Sequence, residues 1–353
     1  MSRRHVVRPI LAALALSGIL LPVSGPPAIA SGGVPSLSRV FVIVGENTEI
    51  TKVNANSMPY LTRELRPESA WLTDYWGITH FSTANYVAMT SGQYTPCEQF
   101  DYPPARCHQD VPNLFGELSE ADVSWHVWNE SMAEPCGLVD NGSSKTLNHY
   151  AVKHDPAVYY DDVVATNGTW DGSRSQLCRD NVVAMGSADL PNDTSAFDAT
   201  LAEPDADRTM PRFNFIVPNM CEDAHDNCSP GLKGGPLTQF DAFLRREVPK
   251  IMDSPAFDER SILIVTFDEG ASTGGGGGSN DATPCSAWDT CPNAFHGGGH
   301  IVFAVVGDPV VAGDAGGFAD HYSFLRTMED AFALGQHAGA AAAADPIVGI
   351  WRA

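Results

Sequence analysis

The chain has 353 residues, 43% apolar and 18% charged, enough for one large or two ordinary cores and too apolar for a disordered chain. Its formal net charge is −22. Such a surface repels nucleic acid and anionic membranes at long range, so nucleic-acid partners are not expected, and a phosphate-bearing ligand needs a local cationic centre.

At the N-terminus, Arg3, Arg4 and Arg8 precede an apolar run from Ile10 to Val23, and Ala28-Ile29-Ala30 follows. This is the pattern of a secretory signal over residues 1–30 with an A-x-A cleavage site. An uncleaved anchor is the rival reading, but the run is short for a stable span and soon meets Gly and Pro. Residues 31–353 are expected to form a single exported domain, secreted and without a stable membrane anchor. Removing residues 1–30 takes away three arginines and no acid, which deepens the negative charge.

All eight cysteines lie beyond the signal: Cys97, Cys107, Cys136, Cys178, Cys221, Cys228, Cys285 and Cys291. An even number in an exported chain reads as disulfides. Proximity suggests Cys97–Cys107, Cys221–Cys228 and Cys285–Cys291, leaving Cys136–Cys178. A metal–cysteine site is the alternative, but no C-x-x-C occurs.

Residues 39–45 form a β-branched apolar run that ends in Gly45 and reads as a buried strand. Similar runs span Phe213–Val217, Ser261–Phe267 and Ile301–Val306, each stopping at polar or turn residues. These are expected to be central parallel strands with functional groups at their carboxyl ends. Between them, Ala84–Ser91 reads as a helix with Ser82 or Thr83 near its N-cap. Leu237–Met252 reads as a helix that Pro249 should end or kink, and Tyr322–Leu334 as an amphipathic helix before Gly335. The alternation predicts an α/β sandwich with a mostly parallel central sheet and helices on both faces. Residues 92–210 are rich in Pro, Asn, Asp and Cys, and read as a disulfide-pinned excursion over the sheet. Gly274–Gly278 reads as a loop without chemistry of its own.

Chemistry-bearing residues follow the predicted strands. Glu46 and Asn47 follow the first, Asp223 and His225 the second, Asp268 and Glu269 the third, and His321 opens the last helix. Taken singly, each is an ordinary turn acid or surface histidine. Gathered at strand ends, these oxygen and imidazole ligands suit a hard or borderline divalent ion. Ser82 alone is a helix cap. Beside a metal it becomes a nucleophile whose phosphoryl target meets helix N–H groups, with Asn85 able to donate to the same target.

In this order, five stretches resemble a known family. They are Val44-Gly45-Glu46-Asn47; His80, Ser82, Asn85 and Tyr86 with Ser91-Gly92; Val217-Pro218-Asn219 with Asp223, His225 and Asp226; Thr266 with Asp268-Glu269; and His321-Tyr322-Ser323 with Leu325-Arg326-Thr327 and Glu329-Asp330. The pattern, from about residue 38 to 335, resembles the phosphoesterase family of the alkaline phosphatase superfamily. Its nearest branch is that of secreted acid phosphatases of actinobacteria and fungi, some active on phosphoinositides. The resemblance implies an alkaline-phosphatase-like sandwich. It also implies one divalent metal held by Glu46, Asn47, Ser82, Asp268 and Glu269, with Asp223, His225 and His321 lining the half of the site where relatives hold a second ion. Lys153-His154-Asp155-Pro156 resembles a basic-His-Asn-Pro segment of the family, and His154 is a candidate for phosphate contact or leaving-group protonation. Two departures stand out. Thr83-Ala84 replaces a residue followed by Pro, which leaves Thr83 as an alternative nucleophile, and Phe81 stands where Pro is common.

The expected activity is hydrolysis of phosphate monoesters through a phosphoserine on Ser82. The substrate is a small phosphorylated molecule or a phosphoinositide headgroup. His225, His154 or His321 would handle protons. A phospholipase C-like phosphodiesterase shares the same core chemistry, and a non-catalytic exported binding module is the third reading. A serine esterase is disfavoured because no G-x-S-x-G surrounds Ser82.

Overall fold

The computed structural model describes residues 33–94, 100–228, 234–271 and 297–352. Residues 1–30, Cys97, Cys285, Cys291 and Gly274–Gly278 lie outside the described residues.

The sheet grows outward from β1 (Arg39–Gly45), whose seven residues are all buried. Strand β6 (Phe213–Val217) pairs parallel to one side of it and β7 (Ser261–Phe267) parallel to the other. A strand flanked on both edges and covered on both faces has no solvent side, which is why these three segments read as unbroken apolar runs. Gly45 closes β1 against aromatic rings: a Cβ there would clash with Phe240 and sit 2.8 Å from the ring of Phe267. The full sheet has eight strands in the order β5-β4-β6-β1-β7-β8-β2-β9. The remaining members are β2 (Ala70–Leu72), β4 (Trp125–Asn129), β5 (Val182–Ala184), β8 (Phe303–Val306) and β9 (Gly313–Ala315). A separate pair, β3 (Tyr75–Trp76) with β10 (Ala319–Asp320), is parallel.

Three expectations change. The run Ile301–Val306 is β8, but it lies antiparallel to both β7 and β2. Val306 pairs with Leu263 near the start of β7, so Gly307 and Asp308 sit at the opposite end of the sheet from the end of β7. An apolar run carries no direction, and the return path of the chain decides it. Within residues 92–210, two segments enter the sheet as β4 and β5, parallel to β6 and to each other. They were illegible as strands because β5 has three residues and β4 mixes Trp with His126 and Asn129. Finally, the helix Pro236–Met252 runs on past Pro249. That proline falls in the last turn, where it removes one hydrogen bond while Val248 and Ile251 stay buried.

Helix Ser82–Ser91 is buried at all ten residues. Its polar residues survive there by bonding the preceding turn: Thr90 donates to the carbonyl of Tyr86 (2.7 Å) and Ser91 to that of Val87 (2.8 Å). It ends on Gly92 at φ +64°, whose N–H reaches the carbonyl of Ala88. Helix His321–Ala331 packs beside it, with the Asp320 carboxylate accepting from the Ser323 N–H at its N-terminus. Cys136–Cys178 and Cys221–Cys228 are bonded, both Cα pairs 5.4 Å apart, and Cys107 is also in a disulfide. Among the described residues, no helix is long and apolar enough to cross a membrane.

Away from the strand ends, Glu117 lies close to Glu329, which is fully buried on helix His321–Ala331, and neither Glu117 oxygen has a hydrogen-bond partner. Burial, reinforced by Glu120, pushes Glu117 up to about 7; burial, reinforced by Glu117 and Asp330 against Arg326, pushes Glu329 up to about 9. Both native values lie above the ordinary 4.5, so the folded state holds more protons than the unfolded one. Stability from this pair is therefore complete below about pH 4.3 and is lost as pH rises through 7 and then 9. Thermal melts should accordingly show Glu117→Gln raising the melting temperature at pH 8 relative to the unsubstituted protein, with little difference at pH 5.

Candidate metal and phosphoryl site

The parallel registers set the site. Val44 pairs with Thr266 and Gly45 with Phe267, so Glu46 and Asp268 leave β1 and β7 side by side. The ladder continues past the strands: the N–H of Asp268 reaches the carbonyl of Gly45 (2.9 Å), that of Thr48 the carbonyl of Glu269 (2.8 Å), and that of Glu46 the carbonyl of Asp223 (2.7 Å). Disulfide Cys221–Cys228 closes the loop that carries Asp223, His225 and Asp226.

Glu46 is the hub. Its Oε2 accepts from the Ser82 hydroxyl (2.9 Å) and its Oε1 from Tyr86 (2.6 Å), both on helix Ser82–Ser91. His154 stacks on Tyr86 and lies between two carboxylates, Nε2 3.3 Å from Glu46 Oε2 and Nδ1 3.2 Å from Asp223 Oδ2. Those contacts are close without the alignment of hydrogen bonds, so His154 Nε2 and Asp223 Oδ2 stay without a hydrogen-bond partner, as does Asp268 Oδ2. Ligand atoms of Glu46, His154 and Asp223 lie within 4.8 Å of one another.

Burial, with Asp268 and Asp223 close by, holds Glu46 well above the carboxylate range. Burial likewise raises Asp223 well above it, and raises Asp268. The His154 imidazole is driven well below its usual value by burial and then by Lys153 and His225, so it is neutral with a lone pair to give. Crowded buried carboxylates, a neutral imidazole and three orphaned polar atoms make a site short of positive charge. Two or three carboxylates plus one imidazole match what a borderline divalent ion takes. Glu46, His154 and Asp223 therefore form a possible metal-binding triad, with Asp268 Oδ2 beside them.

The helix opens with Phe81 at φ +82° in the N-cap position. A proline, locked at about −65°, could not hold this turn. With Phe81 as the cap, the Ser82 hydroxyl is not spent on capping and faces Glu46. Thr83 points elsewhere: its hydroxyl reaches the carbonyl of Lys153 (3.4 Å). Of the two hydroxyls, that of Ser82 is the one bonded to Glu46.

Four residues expected at the site have the following partners. Asn85 accepts from the N–H groups of Ile78 (2.9 Å) and Thr79 (3.1 Å), and its amide donates to the carbonyls of Thr79 (2.8 Å) and Phe81 (3.3 Å). Both amide hydrogens are bonded within the chain, and the side chain shapes the turn before Ser82. Glu269 is committed to His80 and to the N–H of Phe81 (3.2 Å), and burial pushes it up to about 8. It braces the same turn, and it is not among the three residues whose ligand atoms cluster. His321 is locked at both nitrogens, by the Tyr75 hydroxyl (3.0 Å) and the carbonyl of Asp268 (2.6 Å). Burial lowers its pKa to about 4, and its bond to the Asp268 carbonyl steadies that residue. His154, expected near phosphate or the leaving group, is instead 1% exposed inside the triad. Asn47, at φ +51°, holds Asp268 through its backbone N–H (3.0 Å), with its side chain 3.4 Å from Glu46.

At the rim, His225 Nδ1 donates to Asp226 (2.9 Å), leaving Nε2 to accept from the Lys153 ammonium (3.3 Å). Burial alone would lower Lys153, but Asp101 and Glu46 outweigh it and hold the ammonium above its ordinary range. Sequence reasoning quoted Tyr86, His80 and Lys153 within the family stretches but gave them no role in the site. Tyr86 had a signal, sitting one helical turn after Ser82; Asp101 and Tyr75 had none.

Residues 51–335 match the model of the Phosphoesterase family, and the chain belongs to that family. It is 24% identical over 318 residues to a protein of Kluyveromyces lactis named "Probable acid phosphatase", covering 86% of this chain but 61% of that one. It is 24% identical over 326 residues to the "Phosphatidylinositol-3-phosphatase" of Mycobacterium tuberculosis, covering 92% of this chain and 86% of that one. The fold is that of the alkaline phosphatase superfamily. A member from Vibrio parahaemolyticus superposes with a TM-score of 0.53 at 13% identity, over 88% of this chain and 69% of that one. The lipoteichoic acid synthase LtaP of Listeria monocytogenes gives 0.52 at 13%, over 89% and 78%.

Two measurements check this geometry. After desalting, elemental analysis should find bound divalent metal in the unsubstituted protein and markedly less in Asp223→Asn. Asn85→Leu should lower unfolding free energy by about 1–3 kcal/mol for each buried N–H it leaves unpaired, read by urea denaturation.

Proposed function

We propose that the protein is an exported, metal-dependent acid phosphatase that hydrolyses phosphate monoesters, phosphoinositides among them, through a phosphoserine on Ser82. One observation carries the reading: the Ser82 hydroxyl bonds Glu46 at 2.9 Å, and Glu46 also belongs to the buried triad with His154 and Asp223. Relatives named acid phosphatase and phosphatidylinositol-3-phosphatase support the substrate class. The disulfides fit an oxidising compartment.

A divalent ion on Glu46, His154 and Asp223 would supply the charge that makes the serine hydroxyl more acidic and neutralises phosphoryl oxygens. The residues of the chain do the rest. Ser82 releases its proton to solvent as the Oγ–P bond forms and the P–O bond to the leaving group breaks, with the leaving oxygen taking a proton from solvent. Helix N–H groups and Lys153 face the phosphoryl oxygens. Water then attacks the phosphoserine, passing its proton to His225 Nε2 once Lys153 has turned to the phosphoryl oxygens, and frees phosphate and Ser82, whose Oγ takes a proton from solvent. His225 suits that task because it is partly exposed and its Nε2 is held by Lys153 alone, a contact that ends when the ammonium turns to the phosphoryl oxygens, whereas His154 is buried in the triad and His321 is bonded at both nitrogens.

Ser82→Ala should cut turnover of p-nitrophenyl phosphate by at least about three orders of magnitude, with an unchanged melting temperature. Retained turnover would sink the role of Ser82. Faster hydrolysis of bis-p-nitrophenyl phosphate than of the monoester by the unsubstituted protein would favour a phosphodiesterase instead.

A further inference from the structure

The donors next to Ser82 are held by a carboxylate of the chain itself. Asp101 Oδ1 accepts from the Thr83 N–H (3.0 Å), and Asp101 Oδ2 accepts from the Lys153 ammonium (3.1 Å). Thr83 is the second residue of the helix that Ser82 opens, so its N–H belongs to the positive end of the helix. Lys153 directly precedes His154, and its charge is felt by Glu46, Asp223 and Asp268. A phosphoryl group seated on Ser82 needs donors of this kind for its oxygens. The other charges nearby, on Glu46, Asp223, Asp268 and Glu269, have the wrong sign for it. The Asp101 carboxylate thus stands where a substrate anion would, with one oxygen on the helix and one on the cation, and its side chain is 22% exposed and able to leave.

We infer that Asp101 is a built-in competitor for the phosphoryl position, one that substrate displaces on binding and that returns to expel product phosphate. The inference rests on the reading of Ser82 as nucleophile. Thr83 N–H and Lys153 exchange one anionic acceptor for another, so no donor is left bare in either state. Such competition weakens every phosphoryl anion by one common factor, because the free protein must first give up its own contact. Without that contact, phosphate binds tighter and leaves more slowly.

Metal-loaded protein is assayed with p-nitrophenyl phosphate and inorganic phosphate as inhibitor, comparing the unsubstituted chain with Asp101→Asn and Asp101→Ala. Both substitutions should lower the Ki of phosphate, by about tenfold for a lost charge-assisted contact, and lower KM in the same proportion without raising kcat. An unchanged or raised Ki in folded, active variants overturns the inference and makes Asp101 a brace for Lys153. A second readout needs no variant: saturating phosphate should increase carbodiimide labelling of Asp101 in the unsubstituted protein, read by mass spectrometry, and unchanged labelling counts against displacement. Turnover by the unsubstituted protein, and its loss in Ser82→Ala, tests the underlying reading separately.

Discussion

The constraint on which the rest depends is the crowding of buried acids at one end of the sheet. Glu46, Asp223 and Asp268 are all at most 1% exposed, and they come from the carboxyl ends of three adjacent parallel strands. Carboxylates in such a place are tolerated only when hydrogen-bonded, protonated or neutralised by a cation. The backbone supplies part of this. Asp268 Oδ1 accepts from the N–H groups of Asn47 and Glu269, and Asp223 Oδ1 from that of His225. Asp223 and Asp268 are each left with one oxygen lacking a hydrogen bond, Oδ2, and those two oxygens, with His154 Nε2 and the Glu46 carboxylate beside them, define where positive charge belongs.

Around this centre, the surrounding residues act mainly on orientation. Asn85, His80, Glu269, His321 and Tyr75 do not join the triad. They fix the turn before Ser82 and the carbonyl of Asp268 through hydrogen bonds that are largely buried. The Ser82 hydroxyl is free for Glu46 because Phe81, in a left-handed conformation, takes the cap position that serine would ordinarily fill. The cationic side of the site is thin by comparison: Lys153, the helix N–H groups and whatever ion the triad holds. In a chain of net charge −22, that balance makes the anion position a contested one.

Much of the fold was legible. The strands from Arg39, Phe213 and Ser261 were found with their boundaries because central parallel strands are apolar throughout and end at the functional loops. Helix His321–Ala331 was legible from its spacing, although it ends three residues earlier than its pattern suggested, where Ala333 turns left-handed. The antiparallel course of β8 and the entry of β4 and β5 into the sheet were not legible. Direction and edge membership depend on which partners a strand finds, and a period of two says nothing about that.

For the site, sequence alone determined which residue types stand at the strand ends: Glu46 and Asn47, Asp223 and His225, Asp268 and Glu269, with Ser82 ahead of a helix. It did so because active groups in such sheets gather where parallel strands finish. What each of them touches was decided only in three dimensions. Glu269 and His321 turned to the backbone and to His80 and Tyr75, and His154 entered the triad from a loop more than one hundred residues from Glu46. Side-chain direction at a loop is set by packing and by the search of each buried polar group for a partner. Neither leaves a periodic trace in the order of residues.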